Sequence, residues 1–252
     1  MNRFTFFGSS DIGLGRSKNE DVWIAVPEIG FFAIADGMGG HQAGEIAAKE
    51  AIDTLVESIH SFGSPLSPSL LRKAIEHANR WVYQLGREDL SLRGMGTTLC
   101  CLSWTSDAVL CAHAGDSRAY RLRGNHLEQL TEDHSLWTRW RAVSPKANQS
   151  RTPYPYKHVI TKALGTKTKA DPEVVSISYE SSDVFLLCSD GLSDVVDEGV
   201  IRKILLSTLS INEKGTALIE EAKIKGSRDN ITALIVQFDD TDLSRQQRYH
   251  PY

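Results

Sequence analysis

"FFAIADGMGGHQAGE", residues 31–45, begins with five apolar residues, breaks at Asp36, and then passes through Gly37, Gly39 and Gly40 before His41. A short apolar run bounded by glycine reads as an interior β-strand. A simple turn at its end would need one Asp and one Gly. This stretch has more than a turn requires. The pattern recurs in "VFLLCSDGLSD", residues 184–194, where an apolar run meets Asp190-Gly191. Asp116 sits at a break in "AHAGDSRAY", residues 112–120, and Asp229 precedes the strand-like run of "GSRDNITALIVQF", residues 226–238.

Each aspartate alone is most simply a turn former, because Asx side chains bond nearby backbone N–H groups. Four of them where apolar strands stop or start invite another reading. If those strand ends converge, the carboxylates share one cleft, and each uncompensated charge costs several kcal/mol. A divalent cation resolves the conflict. No His or Cys cluster has zinc spacing, so the donor set is almost all oxygen, which favours Mg²⁺ or Mn²⁺. No EF-hand loop is present, which disfavours Ca²⁺. In "SDIGLGRSKNED", residues 10–21, Arg16 lies in a Gly-containing loop just ahead of Glu20 and Asp21. An arginine there is suited to bidentate phosphate binding, its alternative being a surface cation. Neither a dinucleotide fingerprint nor a P-loop is present.

Further strands are expected at 22–26, 30–35, 97–104, 108–114, 118–123, 183–188 and 231–238. Helical spacing of apolar residues marks 43–60 and 67–86, the second opening on Ser67-Pro68 and stopping at Gly86. Two more helices fall at 199–209 and 213–226. Strands, two helices, strands, two helices and a strand make an α+β chain, with antiparallel sheets whose outer faces the helix pairs can cover. Residues 134–160 contain Pro145, Pro153 and Pro155 and read as an irregular flap, with Trp137 and Trp140 packing beneath it. The tail from 241 to 252 is polar, and one catalytic domain is expected over 1–240.

The 252 residues are 41% hydrophobic and 24% charged, which excludes disordered and fibrous classes. A net charge of −4 gives no field for nucleic acid or an anionic membrane. No apolar run approaches the roughly 20 residues that span a bilayer, and no secretory leader is evident. Cys100, Cys101, Cys111 and Cys188 lack CxxC spacing and sit in apolar runs, so core thiols in a reducing cytoplasm are expected.

Together with "GMGTT" (94–98), "LTEDHSL" (130–136) and "VITKALG" (159–165), these motifs occur in the order found in bacterial type 2C protein phosphatases, and the chain resembles that metal-dependent (PPM) family from about residue 5 to 238. The resemblance implies a β-sandwich of two antiparallel sheets flanked by pairs of helices. It implies two core Mn²⁺ or Mg²⁺ ions, with Asp36 bridging them, the Gly37 carbonyl, Asp190 and Asp229 as direct ligands, and Asp21 and Glu20 acting through bound water. Asp116 and Asp190 fit a third, weaker ion, and Arg16 matches the phosphate-binding arginine. Some members place a general-acid His two residues after the first Asp. Here that position is Met38, and His41 is the substitute candidate, with a helix-start or substrate contact as its other reading. The implied activity is hydrolysis of phosphoserine and phosphothreonine by metal-activated water, opposing a Ser/Thr kinase or a regulatory switch, with a monomer expected. A small-molecule phosphohydrolase and a phosphoprotein-binding pseudophosphatase are the alternatives.

Overall fold

The apolar run at 31–35 is a strand, and it is buried on both faces. Phe32 and Ile34 join Cys100, Leu102, Phe185, Leu187, Leu234 and Val236 in a layer between two sheets. Phe31, Ala33 and Ala35 belong instead to a second core shared with the first two helices. A strand covered on both faces displays no polar alternation, which explains the unbroken run.

The computed structural model describes residues 3–39, 43–63, 65–144 and 155–239. Its strands are β1 (Arg3–Asp11), β2 (Asp21–Val26), β3 (Phe31–Met38), β4 (Gly96–Thr97), β5 (Leu99–Trp104), β6 (Val109–Ala114), β7 (Arg118–Arg123), β8 (His126–Gln129), β9 (Glu173–Ile177), β10 (Val184–Cys188) and β11 (Ile231–Asp239). The helices are α1 (Ala43–Phe62), α2 (Pro68–Glu88), α3 (Leu136–Val143), α4 (Asp190–Ser193), α5 (Glu198–Leu206) and α6 (Ile211–Ile224). One sheet runs β1-β11-β10-β7-β8 and the other β2-β3-β5-β6-β9, with β4 on β3. All pairings are antiparallel. Helices α1 and α2 cover the outer face of the second sheet, and α5 and α6 cover the first. This is the α+β sandwich that the sequence implies.

Several elements differ from the sequence reading. Strands β1, β8 and β9 fall outside the expected runs, and the run expected at 97–104 is divided between β4 and β5. In β1, Phe4 and Phe6 pack into the inter-sheet layer, while the indole of Trp23 lies over Gly8. Helix α2 passes Gly86 and ends at Glu88. The flap is not irregular throughout: α3 forms behind Ser135, whose hydroxyl accepts the Thr138 N–H at 3.1 Å. Residues 145–154 of the flap and the tail from 240 lie outside the described residues.

Leu234 is fully buried on β11 between β1 and β10. Leu234→Ala should lower the unfolding free energy by about 3 kcal/mol in urea titration. A loss below about 1 kcal/mol would show that the inter-sheet layer is not the main core.

Candidate metal centre

At one end of the sandwich the inter-sheet layer turns from apolar to polar without losing its two-residue period. Ile34 is followed by Asp36, Leu187 by Ser189, and Phe6 by Gly8 and Ser10. On the strands running the other way, Cys100 is preceded by Thr98, Ala119 by Ser117, and Leu234 by Thr232. These groups bond to one another. Ser10 Oγ and Thr232 Oγ1 are 2.7 Å apart, as are Thr98 Oγ1 and Ser117 Oγ. The Asp36 N–H donates to Thr98 Oγ1 at 3.0 Å. Ser189 Oγ and Thr232 Oγ1 both donate to Asp21 Oδ2, at 2.8 and 2.7 Å.

Asp21 and Asp36 stand directly opposite each other in the β2–β3 register. Opposed residues of an antiparallel pair hold their Cβ atoms roughly 5 Å apart, and like charges there destabilise the pair. Asp190 opens α4, Asp229 lies just ahead of β11, and Asp116 sits between β6 and β7. Burial, followed by the charges of Asp21 and Asp190, holds the Asp36 carboxyl well above its usual range. Burial, then Asp116 and Asp229, does the same to Asp190. Burial raises Asp21 to about 6 against the opposing hydrogen bonds from Thr232 and Ser189. Asp116 is raised to about 6 by burial and by Asp133. Asp21 Oδ1 and Asp190 Oδ1 are buried without a hydrogen-bond partner. Crowded carboxylates with orphaned oxygens and an all-oxygen donor set fit a hard divalent cation.

The glycines after Asp36 and Asp190 have a packing cause. A Cβ on Gly37 would lie 2.1 Å from the Gly44 carbonyl oxygen, and one on Gly191 would lie 1.9 Å from that of Asn230. Side chains at these positions would push α1 and the 229–230 turn away from the acidic end.

Arg16 reaches the same cluster, with Nη2 2.7 Å from Asp229 Oδ2. Its loop is fastened by Asn230, a residue that the motif reading passed over. Asn230 Nδ2 donates to the carbonyls of Ile12 and Lys18 at 2.9 and 2.8 Å, and its Oδ1 accepts the Glu20 N–H at 2.8 Å. The available signal was an amide residue, normally depleted in strands, placed between Asp229 and a β-run. Glu20 is partly buried, and burial raises its carboxyl; its carbonyl accepts the Gly37 N–H at 3.1 Å.

On the opposite side, a cavity of about 500 Å³ lies between Asp116, Asp190 and Asp194 and the flap residues Trp137 and Arg141. Arg118 grips Asp133 with two hydrogen bonds of 2.8 and 2.7 Å. Lys157 and His158 both reach Asp194, at 3.3 and 2.9 Å. Trp137 and Trp140 pack on each other with ring centroids 5.3 Å apart. His41 lies outside the described residues.

Among the described residues, His113, His134 and Glu173 bring ligand atoms within 4.8 Å of one another, a grouping not visible in the spacing. The imidazoles are stacked at 4.3 Å with planes 6° apart, so their in-plane lone pairs lie in separate parallel planes and do not converge on one point. His134 Nδ1 also accepts the Gly115 N–H at 3.2 Å, which leaves the proton on Nε2. The pair is a packing element.

The family model for protein phosphatase 2C matches residues 17–221. The chain belongs to this family. It is 35% identical over 243 residues to the serine/threonine phosphatase stp of Listeria monocytogenes, spanning 94% of this chain and 96% of the relative. It superimposes on the Mycobacterium tuberculosis serine/threonine phosphatase PstP/Ppp with a TM-score of 0.85 at 30% identity, covering 95% and 100% of the two chains. A structure of the PstP catalytic domain in complex with two manganese ions gives a TM-score of 0.84 at 31% identity, with 95% and 100% covered. The chain is a metal-dependent phosphoprotein phosphatase, and Mn²⁺ or Mg²⁺ is the cofactor of its family. No helix among the described residues is long and apolar enough to cross a membrane.

Raised carboxyl pKa values mean that the metal-free folded protein binds protons which the unfolded chain has released. For Asp21 and Asp116, each raised from 3.8 to about 6, this destabilises the fold as pH rises from about 4 to 6, ultimately by roughly 3 kcal/mol per group. Cations that bound the ionised cluster would remove that penalty. The rise in Tm produced by saturating Mn²⁺ should therefore be larger at pH 7 than at pH 5 in calorimetry. An equal rise at both would break the link between these acids and the metal.

Proposed function

We propose that this phosphatase hydrolyses phosphoserine and phosphothreonine at the acidic end of the sandwich. Asp36, the Gly37 carbonyl, Asp190 and Asp229 would hold two Mn²⁺ or Mg²⁺ ions, and Asp116 and Asp190 a third, weaker one. The observation that carries this reading is Asp36, raised by burial and then by four other aspartates, and set directly against Asp21. When bound, the ions supply an acidified water for attack on phosphorus and positive charge facing the phosphoryl oxygens.

The remaining work falls to the chain. Asp21 spends Oδ2 on two hydroxyls and keeps Oδ1 to accept a hydrogen bond from a metal-held water; Glu20 acts through water at the rim. Arg16 uses one N–H on Asp229 and retains others for a phosphate oxygen pair. Its contact with Asp229 ties phosphate placement to the metal ligands. A cysteine nucleophile is not needed, and burial raises the Cys188 thiol to about 12, far from thiolate formation at neutral pH.

The physiological role we assign is reversal of a Ser/Thr kinase in a cytoplasmic signalling switch. The four cysteines, all buried and free, support a reducing compartment. The net charge of −4 favours protein substrates over nucleic acid.

Asp36→Asn should reduce Mn²⁺-dependent phosphate release from a phosphothreonine peptide on the order of 10³-fold, with the far-UV circular dichroism unchanged. Near-full activity in that variant would remove Asp36 from the centre.

A further inference from the structure

The cavity under the flap is not the only groove at the site. A second, of about 920 Å³, opens on the other side of Arg16, between the Arg16 loop, the start of α1 and the turn that follows α2. Its lining includes the charged groups Arg16, Lys18 and Glu20 and the apolar side chains Ile46, Leu90 and Leu92. Ile46 and Leu92 are partly buried against the helix-side core. Leu90 is different: 82% of its surface is exposed.

That exposure is held by structure. Leu90–Leu92 is a 3₁₀ turn capped by Asp89, whose Oδ1 accepts the Ser91 N–H at 2.8 Å and the Ser91 hydroxyl at 2.6 Å. The Leu92 N–H returns to the Asp89 carbonyl at 3.1 Å, and the Met95 N–H to the Leu92 carbonyl at 3.0 Å. A hydrogen-bonded turn thus presents an aliphatic side chain to water in a groove that Arg16 also lines. Leu90 contributes nothing to the buried core.

We infer that this groove is a peptide subsite, and that it selects phosphoproteins with an aliphatic or aromatic side chain one or two positions from the phosphorylated residue. The inference rests on Arg16 as the phosphate contact. With phosphate held there, the adjoining substrate chain passes the rim shared by Arg16 and Lys18. Lys18 can donate to its backbone carbonyls, and a neighbouring apolar side chain covers Leu90, Leu92 and Ile46. Removing that apolar surface from water supplies the selectivity. The volume lies in the range of pockets that take a drug-sized ligand, enough for a short peptide segment that includes one large side chain. An arylphosphate too small to reach the turn gains nothing from it.

The test compares kcat/KM on matched phosphothreonine peptides with Ala or Leu at each position from −2 to +2, alongside p-nitrophenyl phosphate, all with Mn²⁺. The wild-type protein should prefer Leu over Ala roughly tenfold at one of these positions, mainly through KM. Leu90→Ser, at an exposed position, should erase the preference and leave p-nitrophenyl phosphate turnover unchanged. Equal rates on the Ala and Leu peptides in the wild type, or a preference that survives Leu90→Ser, would overturn the subsite. Arg16→Ala separates the two layers of the argument, because it should weaken every substrate, p-nitrophenyl phosphate included. If it spared p-nitrophenyl phosphate, the phosphate assignment would fall, while the Leu90 comparison would still decide the groove.

Discussion

Two carboxylates facing each other across an antiparallel pair set the terms for this molecule. Asp21 and Asp36 are register partners on β2 and β3, in the arrangement where like charges repel most directly. A fold that needed only stability would place a threonine or a valine at one of them. Keeping both requires either protons or a cation, and the surrounding groups are arranged for both states. Two hydroxyls occupy one oxygen of Asp21 and leave the other unpartnered. Half-satisfaction of this kind is costly in a protein core, and it fits a position that a positive ion or its water completes.

The sandwich delivers these groups by a simple continuity. Residues two apart on a strand share a face, so the line that carries Phe32 and Ile34 into the inter-sheet layer also carries Asp36 there. The same holds for Leu187 and Ser189, and for Leu234 and Thr232. Apolar packing over most of the layer's length therefore fixes the height and spacing of the polar groups at its end. The hydroxyls of Ser10, Thr98, Ser117, Ser189 and Thr232 form a polar collar between the hydrocarbon and the acids. It carries the layer from hydrocarbon to carboxylate over the length of one residue pair.

How much of this the sequence discloses depends on whether a signal is local. "FFAIAD" and "VFLLCSD" announce strands that end on acids, because burial on both faces removes alternation and the Asp breaks the run. Helices α1 and α2 show their apolar stripes for the same reason. Strand β1 hides because Gly8-Ser9-Ser10 imitates a turn, and its glycine makes sense only with Trp23 lying across it. Helix α3 hides because it spans only eight residues, none of them buried, so the spacing of Leu136, Trp140 and Val143 covers barely two turns and is followed closely by Pro145. The collar hydroxyls and Asn230 are of another kind. Serine, threonine and asparagine near strand ends are ordinary turn composition, and their roles arise from partners such as Asp21, Ile12 and Lys18 that lie far away along the chain.

The acids do not come from one sheet. Asp21 and Asp36 belong to the sheet covered by α1 and α2, whereas Asp190 and Asp229 flank β10 and β11 of the other sheet. Asp116 stands where the chain crosses from β6 to β7, from one sheet to the other. A cation held by this set would join the two layers at their acidic end. The hydroxyl bonds of Ser189 and Thr232 to Asp21 already make a weaker form of that link. Binding and folding are then coupled in both directions: ions that bind only the native state stabilise it by mass action, and the spacing of the sheets sets how well the acids converge. Residues such as Phe185 and Leu234, which lie wholly in the apolar layer, thereby help determine the geometry of the acidic cluster.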